Sequence, residues 1–216
     1  MKTVNDLLPT QLPADNLSEN PVAKRSAVLS PVLQLQVNNL LATHSDLQSF
    51  MQVMNPTVQQ YSAEHVEKAF FGTAPMLLTL RHAYHDDAAT IWMLPQLYGL
   101  NEYCGCKEKL DEAQMTQLAR IIVNEFGYLK VSEIMLFLHR FKSGRYGRFY
   151  GAVDPLVIIT ALRYNFMNER AAAIDEREQA QKQAEWDAHC REVARERAEA
   201  RAAGRPLYPL VSKPAE

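Results

Sequence analysis

The chain has 216 residues, of which 47% are hydrophobic and 22% charged; these are ordinary globular proportions, and they exclude wholesale disorder and collagen-like repetition. Its 23 basic and 25 acidic residues leave a formal net charge of −2, which disfavours a global polycationic coat on nucleic acid but permits a local basic patch.

No run of about 18 apolar residues occurs, and Met1 to Leu12 lacks the charged-then-apolar order of a secretion signal. The expectation is a soluble, cytoplasmic protein with no membrane partner. Three cysteines are too few, and odd in number, for a disulfide framework. Cys104 and Cys106 form a lone C-x-C, and Cys190 stands beside His189. A zinc site wants four ligands in two closely spaced pairs, so no metal ligand and no cofactor are assigned.

Prolines mark the edges of the fold. Of 11, four fall in the first 31 residues and three in the last 11, which predicts a flexible segment over 1–30 and a flexible tail over 206–216 around a structured middle. From Pro31, the residues Leu33, Val37, Leu40, Leu41 and Leu47 fit one helix face. Val66, Ala69 and Phe70 predict a short helix before Gly72, and Pro75 opens another through Met76, Leu77, Leu80 and Ala83. Asp86 or Asp87 can cap a segment carrying Ala88, Ile91, Trp92 and Leu94, which Pro95 should kink or restart.

Asp111, with Gln114 three later, predicts a capped helix through Met115, Leu118, Ala119, Ile122 and Phe126 that ends at Gly127. Val131 to Phe141 follows, with Ile134, Phe137, Leu138 and Phe141 inward, and Asp154-Pro155 starts a further helix through Ile158, Ala161, Leu162 and Phe166. No hairpin dipeptide sits between alternating strands. The expected fold is all-α: a compact domain of about six to seven helices over 31–170, then a long charged helix over 171–205. From Glu169 to Arg205 there are nine acidic residues, eight Lys or Arg and eleven Ala, with Ile174, Trp186 and Val193 the large aliphatic or Trp side chains. That composition forms helix with almost nothing to bury. It reads as a solvated helix with i,i+4 pairs such as Glu178 with Lys182 and Asp187 with Arg191, or as a docking element built around Trp186.

One segment is dense in chemistry. Three of the eight glycines, Gly144, Gly147 and Gly151, lie within His139-Arg140-Phe141-Lys142-Ser143-Gly144-Arg145-Tyr146-Gly147-Arg148-Phe149-Tyr150-Gly151, which has no acidic residue before Asp154. Arginines can hold phosphates bidentately and aromatic faces can stack bases, so Arg140, Lys142, Arg145, Tyr146, Arg148, Phe149 and Tyr150 form a candidate DNA- or RNA-binding set. Lys130 and Arg163 would extend it if their helices flank the turn. The structural alternative is that the rings plug a gap between helices and the arginines cap helix carbonyls. The glycine spacing is not the dinucleotide fingerprint, and a Walker A sequence is absent.

Ala74-Pro75, Ala83-Tyr84, Trp92, Gln96-Leu97, Lys107 to Leu110, Leu129 to Ile134 and above all Phe141 to Pro155 resemble an uncharacterised domain family of Bacteroidetes proteins, over about 62–170. The resemblance implies no catalytic residues. It implies an association with chromosomal and mobile-element genes, which favours a DNA-related role.

The strongest catalytic candidate is His82-Ala83-Tyr84-His85-Asp86-Asp87, since neighbouring His and Asp can bind a metal and activate water, as in His-Asp phosphohydrolases. Those enzymes draw ligands from well-separated helices, and no distant His-plus-Asp companion stands out. The sequence therefore reads as non-enzymatic: a nucleic-acid-binding accessory factor first, a protein-interaction adaptor using the charged helix second, and a metal-dependent phosphohydrolase a distant third.

Overall fold

A computed structural model describes residues 29–204. The flexible tail expected over 206–216, and all of the N-terminal segment except Leu29 and Ser30, lie outside the described residues.

The described chain is all-α. Pro31–Thr43 forms α1, entered through the Ser30 side chain, which accepts from the Leu33 N–H. The expected first helix does not reach Leu47: His44 turns extended, and Asp46 caps a separate α2, Leu47–Val53, by accepting from the Ser49 N–H at 2.8 Å. After a 3-10 turn at Pro56–Val58 come α3 (Gln59–Glu64), α4 (Val66–Phe71) and α5 (Leu77–Ala83). Next is α6, Ala88–Tyr103, which runs through Pro95 without restarting. Ile91, the residue whose carbonyl loses its helical donor at Pro95, is exposed.

α7, Glu112–Glu125, carries a reciprocal capping box: the Gln114 N–H donates to Asp111 at 2.8 Å while the Asp111 N–H donates to Gln114 at 3.0 Å. α8 spans Val131–Lys142. α9, Pro155–Thr160, starts under an Asp154 cap and passes through a π-helical segment, Ala161–Phe166, into α10, Met167–Ala202. One helical rod therefore crosses residue 170.

The core centres on α8. Ile134, Phe137, Leu138 and Phe141 are buried as expected, but so are Val131, Met135 and Leu136. α3, α4 and α6 all pack on this helix, so it is surrounded rather than one-faced. Phe137 and Phe166 are among the largest side chains fully removed from water, with ring centroids 5.6 Å apart, and this contact fixes where the rod leaves the domain. No described helix is long and apolar enough to cross a membrane.

Candidate functional site: a basic turn held by a glutamate

α8 ends at Lys142, and the chain reverses through Gly144 and Gly147, with φ of 80° and 101°. A Cβ at either position would meet nothing within 4 Å. Glycine is required there by the left-handed backbone rather than by crowding. The turn closes on itself through Gly144 N–H to the Phe141 carbonyl at 2.9 Å and Arg145 N–H to the Arg140 carbonyl at 3.1 Å.

The predicted seven-residue set divides in two. Arg140 Nη1 donates to Glu169 Oε2 at 2.5 Å, Arg145 Nε to Glu169 Oε1 at 2.8 Å, and the Tyr146 hydroxyl to Glu169 Oε2 at 3.0 Å. One carboxylate at the start of α10 thus collects three donors from the turn. Tyr146 is buried with its ring stacked on Phe137, 5.5 Å away and inclined by 22°. Phe149 is half-buried against Phe141. Burial, reinforced by the charge of Glu169, pushes the Tyr146 hydroxyl well above its ordinary value of 10.0.

Lys142 turns inward as well. Its Nζ donates to Gln59 Oε1 at 2.9 Å, Gln59 donates to Gln96 at 2.7 Å, and Gln96 donates to the Met54 carbonyl. Burial pulls the Lys142 ammonium below its ordinary value. Arg148 and Tyr150 face solvent, Tyr150 being 88% exposed. Arg148 has no partner among the described residues. The arginines do not cap helix ends, and neither expected extension joins the turn. Lys130 donates to the Phe70 and Gly72 carbonyls, both at 2.8 Å, and Arg163 pairs with Glu125.

Four contributors escaped sequence reasoning. Glu133, 1% exposed on α8, accepts from Arg170 Nε at 2.7 Å and from the Lys130 N–H at 2.8 Å. With Glu169 and Arg140 it makes a two-way clamp: α8 supplies Glu133 and Arg140, α10 supplies Arg170 and Glu169. The signal was present, since Glu133 is a charge at the head of an apolar run and Glu169-Arg170 sits where the composition changes. The fourth is Lys107, exposed on a loop that the parallel bridge of Glu108 with Ala152 sets beside the free edge of the turn.

The remaining chemistry is sparse. Among the described residues no three His, Cys, Asp or Glu side chains gather as metal ligands. His85 is exposed, and Asp87 takes the N-cap position of α6 without a side-chain capping bond. Burial, with a smaller contribution from neighbouring Cys106, pushes the Cys104 thiol up to about 11. A protonated thiol of this kind is a poor nucleophile.

Beyond the clamp, α10 buries no side chain along its 36 residues. Arg177 still lies over the Phe71 ring at 4.2 Å, and Ala173 packs on the core. From Asp175 to Glu192 every residue is exposed. In place of the expected charge pairs, Gln183 donates to Asp187 and Arg195 approaches Glu199 at 3.8 Å. Trp186 is 53% exposed, its ring 6.2 Å from that of His189.

A family of unknown function (DUF6633) matches the chain over residues 109–196. The match includes α7, α8, the basic turn, both carboxylates of the clamp and most of the exposed helix. No curated protein and no solved structure matches significantly.

Proposed function

We propose that this protein is a non-enzymatic adaptor that presents α10 as a rigid arm to a protein partner. The observation that carries the reading is the contrast between a firm root and a bare shaft: Glu133, Arg140, Glu169 and Arg170 fix the base of a helix about 54 Å long at 1.5 Å per residue, which then buries none of its side chains. Two features support it further. The family match continues along the arm to residue 196, and Trp186 is a large, half-exposed anchor of the kind that dominates interfaces. Partner capture by the full chain from its native cells, compared with Trp186→Ala plus Val193→Asp, tests it. The adaptor reading expects one species recovered with the wild type and lost from the variant; equal recovery removes it.

A second reading, nucleic-acid contact in a chromosomal or mobile-element setting, is favoured by the free edge of the turn. Arg148, Tyr150 and Lys107 are exposed there, and one cation beside one ring is a minimal phosphate-and-stacking unit. In this reading Arg140, Lys142 and Tyr146 hold the edge in place rather than touch the ligand. Labelled oligonucleotide binding across a salt series, with and without Arg148→Ala, decides it: a real contact loses affinity and about one unit of salt slope in the variant.

A further inference from the structure

The segment Gly72–Met76, between α4 and α5, begins and ends in extended backbone, with Gly72 ψ at −176° and Met76 ψ at 156°. One side of it is paired: the Leu77 N–H donates to the Leu129 carbonyl and the Val131 N–H to the Pro75 carbonyl, around an antiparallel bridge of Met76 with Lys130. In such a ladder the alternate residues face the other way. Ala74 N–H, Ala74 C=O and Met76 N–H accordingly have no hydrogen-bond partner among the described residues. The fold is all-α, yet it displays a short strand edge.

Two clefts, of about 270 and 640 Å³, open along this edge and share Met54 and the residues 72–74. The smaller cleft is mainly apolar and the larger is mixed, with Gln36, Asn39 and Thr43 beside Leu40 and Phe50, while Met54, Met76 and Met135 supply adaptable surface. Their charged lining residues are Lys68 in one and Lys130 in the other, with His65 and His44 alongside, and neither cleft has an aspartate or glutamate in its lining. Lys68 is exposed, its Nζ 3.2 Å from the Tyr61 hydroxyl, while the Lys130 ammonium is held by its two carbonyl acceptors.

We propose that this groove binds an extended peptide of a partner protein, apolar at alternate positions and acidic between them, which adds a strand to the Ala74–Met76 edge. Backbone pairing supplies the register, the clefts take the apolar side chains, and the positive charge of the lysines favours an acidic peptide over a cationic one. The proposal does not rest on the α10 arm, which lies outside both clefts.

Fluorescence polarisation of the full chain with a labelled twelve-residue peptide alternating leucine and aspartate, against its leucine–lysine counterpart, tests it. Saturable binding of the acidic peptide is expected, with the lysine peptide at least about tenfold weaker, a difference of about 1.4 kcal/mol. Lys68→Glu and Thr73→Asp, both at exposed positions, should each weaken the acidic peptide about tenfold, while Arg120→Glu on α7 leaves it unchanged. Hydrogen exchange at the Ala74 and Met76 amides should slow on binding, a readout that a non-specific apolar contact would not move. Equal binding of the two peptides, no saturable binding, or unchanged exchange at those amides overturns the proposal. So does a concentration-dependent dimer that Thr73→Asp dissolves, which would assign the groove to a second copy of the chain.

Discussion

α8 and α10 meet at four charged side chains, yet they are stabilised in opposite ways. In α8, eight of 12 residues are buried; in α10 none of 36 is. α8 is a helix because its apolar side chains have neighbours on every side. α10 persists past the domain edge on alanine and charged residues of high helix propensity, with scattered i,i+4 contacts. The same residue types therefore differ in role by position. Arginine and glutamate at the root are joint parts, whereas along the shaft they are free surface.

That division can be broken at the root first. Glu133→Ala strands Arg170 and removes the acceptor of the Lys130 N–H, so it should cost about 3 kcal/mol in urea unfolding. Glu169→Ala releases Arg140, Arg145 and Tyr146 together and should cost about 2 kcal/mol, less because the carboxylate is partly solvated at 24% exposure. An arm with independent shaft residues predicts that Trp186→Ala changes stability by no more than about 0.5 kcal/mol. A large loss at Trp186, or none at Glu133, would erase the contrast.

Tyr146→Phe sharpens it. The lost hydrogen bond to a carboxylate should cost about 1.5 kcal/mol at neutral pH. The folded protein also holds the Tyr146 proton more tightly than the unfolded chain, whose tyrosine titrates near 10.0. This contribution is complete below pH 10 and declines as pH rises through the higher folded value. Unfolding measured from pH 9 to 11 should show the wild type losing stability relative to Tyr146→Phe. Arg148→Ala is the smallest case, within about 0.5 kcal/mol of the wild type, because its side chain has no partner among the described residues.

Helix starts with a side-chain or proline signal were legible in the sequence: Pro31, Asp111 with Gln114, and Asp154-Pro155 all open helices as expected. α2 and α3 were not: Leu47 fitted the face of the first helix, which merged α2 with it although Asp46 was a readable cap, and α3 buries only the polar Gln59 and Ser62, which leave no apolar stripe to read. Of the kink or restart expected at Pro95, the restart does not occur: α6 continues through it. The basic turn was visible as composition, but its meaning depended on Glu169, 24 residues beyond Arg145, and no local pattern announces a partner at that separation. The strand edge at 74–76 was equally hidden, being defined by its pairing with residues 129–131.

The most direct test of the arm against the turn is photo-crosslinking in the native cell, with a photoreactive residue replacing Trp186 in one version of the full chain and Tyr150 in another. The adaptor account predicts a discrete protein adduct from position 186 and no nucleic-acid adduct from position 150. Nucleic acid captured at 150, with no protein captured at 186, would contradict it.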